Sequence, residues 1–333
     1  MLFFLPLLNP ILCFRERVWN NVVMYIIKRI LSSLVSLILV TIIIFSVMHS
    51  IPGGPFDEEK MPLSPAAKEK IMEMYGLNDP LYVQYFKYMR NALRLNFGKS
   101  YQSPGEEIID LIKRTLPVSA FLGGLGLAWA IVAGLLLGIA SARKPNSFLD
   151  YLCTALSSYS ISVPVYVSSI FMIFIFSLRF HWLPTGGFSF GDPRTWIMPI
   201  IAYGLFPFGT IARYTRSSML EVLNEPYILT AKAKGLPDWY ILVRHAFKNA
   251  LIPILTILLP MFTGVMTGSI LIEQVFRIPG LGGYFVTSIY KRDYPLEMTL
   301  MLFISISLSL TYLVTDIVYT IVDPRVRLGK GKK

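Results

Sequence analysis

Long apolar runs separated by shorter polar segments dominate the chain, and six of them can cross a bilayer as helices: 30–51, 118–140, 152–178, 196–212, 250–272 and 298–322. A helix needs about 20 apolar residues to span the hydrocarbon core, so the pattern predicts an all-α integral membrane protein with six transmembrane helices. Between the first two runs, residues 52–117 begin with a Gly/Pro stop, "IPGGPF", and balance acids against bases around the helical stretches "PAAKEKIMEMYGL" and "VQYFKYMRNALRL". That balance predicts a small folded segment outside the membrane instead of a disordered loop. The resulting division is an N-terminal extension 1–23, a first helix 24–51, the segment 52–117, a five-helix core 118–322 and a basic tail 323–333.

Within the spans, small and helix-breaking residues are patterned. Gly126, Ala130, Gly134, Gly138 and Ala142 recur every four residues, a stripe that lets another helix approach closely, either within the chain or at an interface. The fourth run carries Pro199, Tyr203, Gly204, Pro207 and Gly209, and the fifth Pro253, Pro260, Gly264 and Gly268. Proline removes a backbone donor, and the carbonyl it frees must find another partner in lipid. Pro199, Tyr203, Gly204, Pro207, Gly264 and Gly268 are therefore the candidates for a translocation path, with kinked packing helices as the other reading. Asp316 is the one charged residue inside the apolar runs; it stands near a membrane edge, where a base such as Arg29 can pair with it.

Charge orients the chain. The formal net charge is +11, and almost all of the excess falls on the side of the termini: Arg15, Arg17, Lys28, Arg29, Arg143, Lys144, the bases between Arg213 and Lys248, and the terminal Arg325, Arg327, Lys330, Lys332 and Lys333. Positive loops stay inside, so both termini are expected in the cytoplasm. The same rule explains the basic balance through topology and membrane lipids, with no nucleic acid partner required.

Motifs for chemistry are sparse. "NFGKS" (residues 96–100) imitates the end of a phosphate-binding loop, but the first glycine position is Leu93 and no strand precedes it. His49, His181 and His245 are far apart, no metal-ligand spacing is present, and Cys13 and Cys153 are not expected to pair. No nucleophile–base or paired-carboxylate arrangement points to an enzyme.

One polar segment has more structure than a linker requires. In "EPYILTAKAKGLPDWYILVRHAFKNALIP", Asn224 is expected to cap a helix opened by Glu225 and Pro226, and Gly235 with Pro237 to end it. Tyr227, Ile228, Ala231 and Leu236 offer an apolar side, while Lys232 and Lys234 are exposed. From physics alone this is either an amphipathic helix lying on anionic lipid or a force-transmitting helix held between two spans.

"YILTAKAKGL" followed by "RHAFKNALIP" resembles the coupling region of the membrane subunits of binding-protein-dependent ABC importers, in the peptide and nickel branch. The general importer pattern is Glu-Ala-Ala, three residues, then Gly. Here Leu229, Thr230, Ala231 and Gly235 occupy those positions, so the Glu is missing, as is typical of the peptide branch. "YGLNDPLYVQYFKY", "SISVP", "GSILIEQVFRIPGLG" and "DPRVR" extend the likeness from Met24 onward, and "PGGPF" with "IEQVFRIPGLG" is most similar to the B-type subunits of oligopeptide importers.

The resemblance implies a type I importer fold in a prokaryotic inner membrane. It also implies a homologous C-type permease partner, two cytoplasmic ATPases that hold the ATP and magnesium, and an extracytoplasmic peptide-binding protein. This chain would bind no cofactor. Glu225, Tyr227, Thr230, Ala231, Lys232, Ala233, Lys234, Gly235 and Leu236 would form the joint with an ATPase. A dipeptide or nickel importer of the same branch, or an ion-coupled secondary transporter, is the alternative.

Overall fold

The computed structural model describes residues 9–51, 53–56, 64–102, 105–266 and 268–322. The basic tail 323–333 and the first eight residues lie outside the described residues. Among those described, the one extended pairing is an isolated bridge between Lys99 and Glu107; the other regular structure is helical.

Four helices are each long and apolar enough to cross a membrane. They are α1 (Asn9–Ser50, apolar over Ile27–Ser50), α4 (Ile108–Arg143), α7 (Arg194–Leu223) and α13 (Tyr294–Val322). Between α1 and α4 lie the short α2 (Pro65–Met74) and α3 (Leu81–Ala92). Two bent pairs bring the number of spans to six when each is counted once. The first joins α5 (Phe148–Ser162) to α6 (Val165–Met172), which continues in wide turns to Arg179. The second runs from α9 (Asp238–Tyr240) through wide turns into α10 (Lys248–Met266).

Three expected span boundaries shift, each for a local reason. The run 152–178 is not one straight helix: it bends by 107° at Val163–Pro164, because a residue before proline is pushed out of the helical region and Val163 sits at φ −87°, ψ 123°. The run 250–272 stops at Met266. Gly268 takes φ +87°, and Ser269 then caps the separate α11 (Ile270–Val275) by accepting from the Ile272 N–H at 3.4 Å. The second span starts at Ile108, before Pro117, because the polar turn "DLIKRT" is helical although it does not belong to the apolar run. A final short helix, α12 (Leu281–Lys291), leads into α13.

The centre of the bundle is the contact of α4 with α7, and the small-residue stripe makes it. A Cβ on Gly126 would stand 2.6 Å from the Tyr203 Cβ, one on Gly134 2.9 Å from Ile211, and one on Gly138 2.6 Å from Thr215. These helices touch along their backbones, so the stripe serves packing within the chain. Trp129 Nε1 adds a tie by donating to the Ile200 carbonyl at 2.8 Å. Both prolines of α7 sit inside a continuous, buried helix and do not interrupt it.

The segment between α1 and α4 docks on the turn between α12 and α13. Asp293, buried there, accepts from the Ser100 hydroxyl and from the Tyr101 N–H (3.1 Å). Phe56 and Tyr101 pack against Met48 and Tyr294, and burial, followed by the nearby Asp293 charge, pushes the Tyr101 phenol well above its ordinary pKa. The phosphate-loop lookalike is thus a docking turn: Gly98 N–H closes on Asn96 Oδ1 at 3.1 Å, and Ser100 binds Asp293.

Candidate functional site

The polar segment folds into α8 (Pro226–Ala233), a helix isolated between α7 and α9. Pro226 opens it because the first turn needs no N–H donor. Glu225 occupies the cap position, without a side-chain bond. Asn224 instead follows the last residue of α7 as its C-terminal cap and donates back to the Leu220 carbonyl at 2.9 Å. Gly235 ends the helix at φ +74°, with its N–H on Lys232 O (2.9 Å) and that of Leu236 on Ala231 O (3.4 Å). Two carbonyls are satisfied by this left-handed turn, a conformation only glycine takes at little cost.

The two faces of α8 differ sharply. Ile228 and Ala231 are buried against Ala142, Met219, Ile241, Ala246 and Ala250, with Leu236 packed alongside. Those residues come from the ends of α4 and α7, the wide turns 241–247 and the start of α10, so the helix packs mainly on the wide turns and shares one apolar cluster with the span ends. Glu225, Leu229, Thr230, Lys232, Ala233, Lys234 and Gly235 face outward, and Tyr227 spans the edge, its hydroxyl accepting from Asn249 Nδ2 at 2.7 Å.

Beside that seat a buried ion pair fixes the ends of α4, α5 and α7. Asp150, 4% exposed, accepts from Arg216 Nε (2.5 Å) and Nη2 (3.0 Å), the Ser141 hydroxyl (2.6 Å) and the Asn146 N–H (2.9 Å). Every acceptor position near the carboxylate is used, the condition for a buried charge to be tolerated.

On the opposite half of α7, Tyr203, Pro207 and Gly264 border an apolar cleft of ≈ 300 Å³ together with Phe206, Met261 and Ile272. Three of the six path candidates therefore meet. Gly204 points away from it, into Trp129 and the Gly126 carbonyl, and Pro199 and Gly268 do not border it either.

Gly268 belongs to a centre that the sequence reading missed. Glu273, 1% exposed, accepts from Ser119 Oγ (2.7 Å), Tyr203 OH (2.8 Å) and the Gly283 N–H (3.0 Å). Ser119 in turn takes the Leu281 N–H, and Tyr203 takes that of Ser269, each at 2.9 Å. A single carboxylate thus links α4, α7, α11 and α12 at the rim of the cleft. Gly280 permits the approach, since a Cβ there would fall 2.4 Å from the carboxyl carbon.

Buried carboxylates are more numerous than the apolar runs implied. Asp150, Glu273, Asp293 and Glu297 are all buried, whereas Asp316 alone was expected at membrane depth. Asp316 does pair with Arg29, at 3.0 Å, and that guanidinium lies 5.5 Å over the Tyr312 ring. Among the described residues, no three His, Cys, Asp or Glu side chains converge to hold a metal ion.

Two family models match. "Binding-protein-dependent transport system inner membrane component" covers residues 134–328, and the N-terminal model of such membrane components covers 22–122. The chain is 38% identical over 306 residues to a dipeptide transport system permease protein of Bacillus subtilis, covering 92% of this chain and 98% of that one. It is 36% identical over 303 residues to an oligopeptide transport system permease protein of Escherichia coli, covering 91% and 99%. Among solved structures it is similar to the methionine ABC transporter MetNI in inward-facing form, with a TM-score of 0.53 and 18% identity over 65% of this chain and 97% of that one. That likeness shows a shared fold. The chain belongs to the family of inner-membrane components of binding-protein-dependent transport systems.

Proposed function

We propose that this chain is one half of the membrane pore of an ATP-driven peptide importer, paired with a homologous C-type subunit, served by an extracytoplasmic binding protein and driven by two cytoplasmic ATPases. ATP and magnesium reside in those ATPases. The observation that carries the reading is the seat of α8: a short helix whose outer face exposes Leu229, Thr230, Lys232 and Lys234, and whose inner face, Ile228 and Ala231, shares one apolar cluster with the ends of α4 and α7, the wide turns 241–247 and the start of α10. Docked in a groove of an ATPase, it rocks the spans as the ATPases close. The basic excess puts α8 and both termini in the cytoplasm. The cleft beside Tyr203, Pro207 and Gly264 is then a part of the path.

Peptide cargo is supported by the permeases named above, one for dipeptides and one for oligopeptides; the "PGGPF" and "IEQVFRIPGLG" stretches favour the longer peptides. Tagging the chain, solubilising it in mild detergent and identifying its companions by mass spectrometry tests the assembly. Two ATPases and a second permease are expected, with ATP hydrolysis stimulated by oligopeptides through the binding protein. A chain that emerges alone, under conditions in which such complexes survive, contradicts the proposal.

Gly235→Trp separates coupling from folding. Nothing lies within 4 Å of a Cβ at this position, so the cost inside the chain is the left-handed backbone, about 1–2 kcal/mol, while the indole stands on the outer face. Normal assembly with reduced peptide uptake is the expected outcome; normal uptake at normal expression removes α8 from the coupling path.

A further inference from the structure

Helix α3, in the segment between α1 and α4, carries three distinct stripes. Tyr85, Tyr88 and Ala92 turn to the protein: Tyr85 OH meets Thr41 Oγ1 at 2.9 Å, Tyr88 OH meets Thr299 Oγ1 at 3.0 Å, and Ala92 is buried. Gln84, Lys87, Arg90 and Asn91 form a polar side, where Lys87 pairs with Asp79. Between these runs a third stripe, Tyr82, Phe86, Met89 and Leu93, spaced as one helical face. Tyr82 and Phe86 are each 67% exposed and Leu93 84%. In water, such a stripe would be an unpaired apolar surface.

Its depth relative to α1 says what covers it. The apolar part of α1, Ile27–Ser50, has 24 residues, about 36 Å at the helical rise, slightly more than the roughly 30 Å hydrocarbon core. Thr41 lies nine residues before Ser50, hence about 13 Å down the span. The Tyr85–Thr41 bond, with Phe45 and Tyr85 in edge contact at 5.5 Å, therefore holds α3 against the last turns of the span, within about 10 Å of the hydrocarbon boundary. An apolar cleft of ≈ 430 Å³ separates the two helices there, lined by Ile42, Phe45, Ser46, Leu81, Tyr82 and Phe86.

We propose that α3 is an interfacial helix: its Tyr82–Phe86–Leu93 stripe is embedded in the leaflet at the C-terminal end of α1, and a phospholipid acyl chain occupies the α1–α3 cleft. The polar side faces headgroups and water, and the aromatic rings sit where amphipathic rings are favoured. The segment between α1 and α4 is thereby moored to the bilayer surface as well as to the Asp293 turn.

Spin labels on Phe86→Cys, Leu93→Cys and Arg90→Cys test this, in full-length chain with Cys13 and Cys153 changed to alanine, reconstituted with its copurifying partners in phospholipid nanodiscs. Labels at positions 86 and 93 are expected to collide more with oxygen than with a water-soluble nickel complex, and the label at 90 to show the reverse ratio. Nickel access at 86 and 93 equal to that at 90 overturns the proposal, and so does exclusion of both reagents, which would mean that another protein covers the stripe. In a second measurement, Phe86→Trp in nanodiscs of brominated lipid is expected to lose the emission it adds over the parent; unquenched emission overturns the proposal independently of the labels.

Discussion

Glu273→Ala is expected to destabilise the chain by roughly 3–5 kcal/mol, since it leaves the Ser119 hydroxyl, the Tyr203 hydroxyl and the Gly283 N–H without an acceptor, and each orphaned buried group costs about 1–3 kcal/mol. The effect reaches further than three bonds. Ser119 and Tyr203 also receive the Leu281 and Ser269 N–H groups, so the carboxylate orients the two hydroxyls that tie the turns on either side of α11 to α4 and α7, and its loss leaves those ties less firmly held. Glu273→Gln retains an oxygen for the two hydroxyls but turns an NH2 group toward Gly283, and an intermediate loss is expected. Thermal melting of the purified chain in detergent is the check. An alanine variant that melts with the parent would mean that this centre contributes nothing to stability.

Gly204→Ala is expected to lower the yield of folded chain severely, although it adds one methyl group. Its Cβ would stand 2.2 Å from Trp129 Nε1 and 2.3 Å from the Gly126 carbonyl oxygen. The ring can rotate, but the carbonyl belongs to the facing backbone, so α4 and α7 must part along their whole contact. Overpacking of this kind costs about 1–3 kcal/mol and at times more, and here the Trp129–Ile200 tie is strained with it. Gly264→Ala is the internal control: nothing lies within 4 Å of a Cβ there, and α10 gains a better helix former. Size-exclusion profiles of the two variants from equal membrane amounts should separate clearly. Equal profiles would refute the close approach of α4 and α7.

These contrasts also show what could be read without coordinates. The period of four in Gly126, Gly134 and Gly138 announced a close helix contact, but not that α7 is the partner, because a stripe does not name the surface it meets. Helix α8 was legible at both ends from Pro226 and from Gly235 followed by Pro237. Asn224 was not, since its side chain had a nearer acceptor at Leu220 O in the preceding helix. The bend at Val163–Pro164 follows from the conformational limit that proline sets on its neighbour, a signal that the apolar run around it concealed.

The buried carboxylates were hidden by the edges of the apolar runs. Asp150, Glu273 and Glu297 each stand one or two residues outside a run, where the apolar pattern gives no sign of burial. Only the fold shows that these edges turn back into the protein: Asp150 toward Arg216, Glu273 toward Ser119 and Tyr203, and Glu297 toward Ser288. The glycines at 268 and 280 around Glu273 were the available clue, because each allows the backbone to come close to the carboxylate.

The decisive measurement is a cross-link from the outer face of α8. Thr230→Cys, in a background with Cys13 and Cys153 changed to alanine, is treated with a short bifunctional reagent in native membranes, beside Leu136→Cys, whose side chain is 65% exposed on the apolar flank of α4. If α8 transmits the force of ATP hydrolysis, position 230 joins the chain to an ATPase subunit in a yield that changes between the nucleotide-free and ATP-trapped states, while position 136 does not. Failure of position 230 to reach any ATPase, in complexes that hydrolyse ATP, would contradict the coupling role of α8 and with it the proposed mechanism.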